Sequence, residues 1–94
     1  MTWAMRLSGL AVVLGLAACS GTPEGVEEQD IAEYMTAAAS IGCVLKYESD
    51  YLPIELQAGL TRQQTIDITT YMTSTDRAVK LPDGGVQLTT GACA

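Results

Sequence analysis

An apolar run from Leu7 to Ala18, preceded by Arg6 as the only charge before residue 24, takes the start of this chain out of its fold. As a helix the run reaches only about 18 Å, too short for a bilayer core of about 30 Å. A basic start, a short apolar stretch and small residues before a break mark a secretory signal peptide, expected over residues 1–18. The remainder is one small domain at most. All eleven acids lie after residue 18 with only four bases, Lys46, Arg62, Arg77 and Lys80, so this part carries −7 although the whole chain carries −6. There is no His, Phe or Asn, and Trp3 lies in the leader. This composition excludes a large enzyme, a multi-pass membrane protein, a His-ligated metal site, a His-based triad and a basic nucleic-acid binder.

The end of the run, Leu16-Ala17-Ala18-Cys19, resembles the lipobox of bacterial lipoproteins, in which an aliphatic residue and two small ones precede the Cys. The resemblance covers residues 1–19. It implies a diacylglyceryl group on the Cys19 thiol, cleavage after Ala18, and in many such proteins an acyl chain (palmitate, for example) on the new amine. Two or more chains give stable anchoring, since each buried CH₂ contributes about 0.8 kcal/mol. The next residue is Ser20, not the Asp of inner-membrane retention, so the resemblance implies an outer-membrane lipoprotein facing the periplasm. An ordinary secretory leader with a chance Cys, or an uncleaved anchor, is the alternative. The covalent lipid is the only attached group expected, and no other cofactor.

With Cys19 given to the lipid by that resemblance, Cys43 and Cys93 remain. The periplasm is oxidising, and two thiols in a small exported domain usually pair, so a Cys43–Cys93 disulfide is expected. A redox-active pair is the functional alternative, but it lacks a Cys-x-x-Cys spacing and a nearby His.

Residues 19–26 read as the lipidated Cys and a flexible tether, and residues 27–94 as a small globular domain. A helix is expected over 27–40, with acids at its start and Ile31, Met35, Ala38 and Ala39 on one face. Cys43 to Tyr47 read as a short strand, Glu48 to Tyr51 as a loop, and Leu52 to Leu56 as a one-turn helix ended by Gly59. Thr61-Arg62-Gln63-Gln64 fits a capping box and favours a helix over 61–74, with Ile68, Tyr71 and Met72 together. The load of Thr and Ile there also suits a strand. Arg77–Leu81 and Val86–Thr90 flank Pro82-Asp83-Gly84-Gly85, a hairpin signature. Val79 and Leu81 are expected on one face, as are Val86 and Leu88. Tyr71 and one of Tyr34 or Tyr47 are expected inside, with Tyr51 on a loop outside.

The fold class expected is α+β: helices plus a C-terminal β-hairpin, stapled by one disulfide. The element order resembles a winged-helix topology over residues 27–94. That likeness implies that the strand after the first helix lies beside the last strand of the hairpin, where Cys43 and Cys93 can meet. Nucleic acid is not an expected partner, because phosphate binding needs cations and the helix at 61–74 carries only Arg62. No catalytic or metal-ligating residue is assigned. Glu48 with Asp50, and Asp67 with Asp76, are better read as solvated charge. The expected function is that of a non-catalytic, membrane-anchored interaction module or accessory subunit with an envelope protein partner, Tyr51 and Asp83 being candidate contact residues. The alternative is a small-ligand or cation-binding lipoprotein that uses the acidic loop and helix start.

Overall fold

A computed structural model describes residues 22–94. The leader, Ala18 and Cys19 lie outside the described residues. Three α-helices and a three-stranded antiparallel sheet make an α+β domain: α1 Glu28–Ser40, β1 Val44–Leu45, α2 Glu48–Ala58, α3 Arg62–Ser74, β2 Ala78–Lys80 and β3 Val86–Leu88, followed by a 3₁₀ turn, Gly91–Cys93.

The ordered domain begins before residue 27, which shortens the tether expected over 19–26. Val26 is 5% exposed and belongs to the core. Its N–H donates to the Pro23 carbonyl, its carbonyl accepts from the Thr22 hydroxyl, and the Gln64 amide donates to the Gly25 carbonyl. An apolar residue after Pro and Gly finds a place inside, and its turn is folded back to deliver it.

α1 starts where its acids predict. The Asp30 carboxylate accepts from the Glu27 N–H at 2.8 Å, satisfying a donor that the helix leaves unpaired. Its buried face is Ile31, Tyr34, Ala37 and Ala38, with Met35 packed beside it. The chain leaves α1 through two residues of positive φ, Gly42 at +96° and Cys43 at +69°. At Gly42 the missing Cβ makes that geometry cheap.

Glu48–Tyr51 is helix and not loop, a correction to the expected boundary. The cause is Asp50, at the third helical position. One of its oxygens accepts from the N–H groups of both Lys46 and Tyr47 at 2.9 Å, so the helix is capped four residues ahead of Leu52. These bonds hold the Asp50 carboxyl below its usual range, since they favour the charged form. Pro53 lies inside the helix and leaves the Ser49 carbonyl without its intrahelical donor. Gly59, at φ +67°, ends it in a left-handed cap whose N–H bonds the Glu55 carbonyl.

α3 resolves the competition between strand and helix by its cap. The Thr61 hydroxyl accepts from the Gln64 N–H at 3.0 Å, and the Gln64 side chain accepts from the Thr61 N–H at 2.9 Å. The Thr load is accommodated within the helix. The hydroxyls of Thr65, Thr69 and Thr73 donate to the carbonyls of Thr61, Thr65 and Thr69, so buried polar groups are satisfied in place. Ile68 and Met72 are buried as expected and Tyr71 is half-buried, but Thr65 and Thr69 are buried as well.

The sheet order is β1-β3-β2, and β1 lies antiparallel to β3 with Leu45 opposite Val86. Cys43 precedes β1 and Cys93 follows β3. Their Cα atoms are 5.7 Å apart, and the Cys43–Cys93 disulfide is formed. The hairpin turn is closed by Gly84 N–H to the Leu81 carbonyl and Leu81 N–H to the Gly85 carbonyl, with Gly84 at φ +100°. Val86 and Leu88 share a face as expected, and the register shows which way each face turns. Ala78 pairs with Leu88 and Lys80 with Val86, and directly opposed residues share a face. Val86 and Leu88 therefore turn inward with Ala78, while Val79 faces out at 48% exposure.

Among the tyrosines, Tyr34 is fully buried and Tyr47 is exposed. Tyr51 sits on α2, half-buried against the core, and not on an outer loop. The core gathers Leu45, Ile54, Ile68, Met72 and Leu88 between sheet and helices. Each such side chain contributes about 1.5–3 kcal/mol by leaving water.

Candidate functional site: a groove between the third helix and the hairpin

The inward face of the hairpin is only partly buried. Ala78 and Leu88 are buried, but the next pair along, Lys80 and Val86, borders an open space shared with α3. The gap is an open groove of ≈ 430 Å³. Thr70, Thr73 and Ser74 of α3 line one side, Lys80 and Val86 the other, and Tyr51 and Ile66 its floor and end. A smaller depression of ≈ 370 Å³ continues past Tyr51 and Ile66 to Glu48 and Arg62. Tyr51 and Ile66 thus form the shared apolar centre of one continuous track.

Tyr51 is held there by both neighbours of its ring. Its helix packs against the core on one side, and the Arg62 guanidinium lies 5.4 Å from the ring centroid on the other. Arg62 is in turn fixed by Glu55, with Glu48 at 3.9 Å. These carboxylates hold its pKa above the usual arginine value, so the cation is permanent. The hydroxyls of Thr73 and Ser74 donate to the carbonyls of Thr69 and Tyr71. A hydroxyl whose proton is so engaged keeps its lone pairs, and the wall therefore offers acceptors.

Of the two residues singled out from the sequence as contact candidates, Tyr51 falls in this groove. Asp83 lies at the hairpin turn and does not line it. Its carboxylate pairs with Lys46 Nζ at 2.8 Å, an exposed contact that lowers the pKa of Asp83 and raises that of Lys46. Ile66, Thr70, Thr73, Lys80 and Val86 were not expected as site residues. Ile66 is marked by its exposure, 40% for an aliphatic side chain, which only the folded structure reveals.

Apart from Glu48 and Glu55, which both face Arg62, the acidic residues do not converge. Asp30 and Asp50 cap their own helices, and Asp67 accepts from the Gln63 amide at 2.9 Å. Among the described residues, no group of three or more His, Cys, Asp or Glu side chains is placed to hold a metal ion. Comparison of the chain with protein-family models, with curated proteins and with solved structures finds no match.

Proposed function

We propose that the protein is a non-catalytic lipoprotein of the bacterial cell envelope, anchored through Cys19 at the outer membrane and facing the periplasm. Its domain acts as an interaction module or accessory subunit of an envelope complex. The groove centred on Tyr51 and Ile66 is the observation that supports an interaction role. It is open and shallow, presents an aromatic and an aliphatic side chain beside hydroxyls, and suits a segment of protein lying across it. The disulfide fits an oxidising compartment.

We read the arrangement as winged-helix-like, with the hairpin as wing. In that reading α3 takes the place of a recognition helix, yet its one cation, Arg62, already faces Glu55 and Glu48. Such a surface favours a protein partner over phosphates.

Anchoring is tested by Cys19→Ser. The variant is expected to lose metabolic palmitate label and to leave the membrane fraction for the soluble one. Retention of both label and membrane association would contradict the anchor.

A further inference from the structure

The groove differs in charge from the protein around it. The chain has eleven acidic residues, yet none lines the main groove, where the only ionic group is the Lys80 ammonium. Lys46 is engaged by Asp83, and Arg62 by Glu55 and Glu48. Lys80, by contrast, is in no ion pair among the described residues. Fields from distant carboxylates are screened within about 8 Å at physiological salt, so a ligand in the groove meets the local positive charge more than the net negative one. At the far end of the track Glu48 imposes the opposite preference.

We infer that the groove binds an extended acidic segment of a partner protein, its carboxylate on Lys80 and an apolar side chain over Tyr51 and Ile66. This rests on the interaction-module reading and adds the chemistry and direction of the ligand. Backbone N–H groups of the segment donate to the hydroxyl oxygens of Thr73 and Ser74, which have no proton left to offer. The acidic end lies toward the hairpin, since Glu48 repels it from the Arg62 end.

The test is selection of binders from a random peptide library displayed on phage, using the purified full chain with its disulfide intact. Selected peptides are expected to carry Asp or Glu beside an apolar residue. Lys80→Glu, an exposed substitution, is expected to weaken their binding about tenfold, and Ile66→Asp by a similar factor, with the melting temperature of Lys80→Glu unchanged. Peptides without acidic enrichment, or binding untouched by Lys80→Glu, would overturn the acidic ligand while leaving the anchored-module reading standing. Equal competition by vesicles of anionic phospholipid would assign the surface to lipid and overturn it too. The anchored-module reading fails separately, through Cys19→Ser.

Discussion

Cys93→Ser is expected to lower the stability of the domain by about 4 kcal/mol. The Cys43–Cys93 bridge spans 50 residues, most of the ordered chain. A closed loop of that length removes about 4 kcal/mol of conformational entropy from the unfolded state in the chain-entropy model. A domain of this size has little stability beyond that, since its single core is small. Cys93 is the informative partner to replace. Cys43 has a positive φ of 69°, so its substitution mixes backbone effects with loss of the bridge. Urea unfolding of Cys93→Ser, compared with the oxidised and reduced wild type, checks this. The variant should match the reduced protein and unfold at much lower denaturant than the oxidised one.

Tyr34 is the second place where a large effect is expected, and there ring and hydroxyl can be separated. The ring is fully buried, and the hydroxyl lies 2.7 Å from Thr69 Oγ1. Thr69 already donates to the Thr65 carbonyl, so Tyr34 is the donor in this pair. Tyr34→Phe should cost about 1 kcal/mol for the lost hydrogen bond, and Tyr34→Ala about 3–5 kcal/mol through the cavity it leaves. The same burial pushes the Tyr34 hydroxyl from 10.0 up to about 12. The folded protein then holds a proton that the unfolded chain releases. Stability is therefore complete below pH 10 and falls as pH rises toward about 12, by about 3 kcal/mol in all. Urea titrations across that range should show the slope in the wild type and a shallower one in Tyr34→Phe.

The elements legible in the sequence are those whose chemistry is local. Thr61 and Gln64 announce the start of α3 because a capping box is complete within four residues. Pro82-Asp83-Gly84 announces the hairpin because its turn needs only Gly84 at positive φ. What was missed has a local cause in one case and distant ones in the others. Asp50 extends α2 backward because its carboxylate finds two backbone donors, and a Glu-Ser-Asp-Tyr run looks like a loop until those bonds are drawn. Thr65 and Thr69 are core residues because Thr69 meets Tyr34, one of the two tyrosines of which one was expected inside, across 35 positions, and each hydroxyl is satisfied. The inward face of β2 follows from its pairing with β3, which the alternation of Val79 and Leu81 did not reveal. The groove has no sequence signature. It exists because residues from α2, α3 and the hairpin, distant in sequence, come to share one space.

Engagement of an envelope partner by the anchored domain is proposed to run through the Tyr51–Ile66 surface. The most direct measurement places a photoreactive amino acid at Ile66 in living cells, with Gln29 on the exposed face of α1 as control. One defined crosslinked partner is expected from Ile66 and none from Gln29, with the crosslink lost when Cys19→Ser is added. Equal crosslinking from both positions, or an Ile66 crosslink that persists in the Cys19→Ser background, would contradict it.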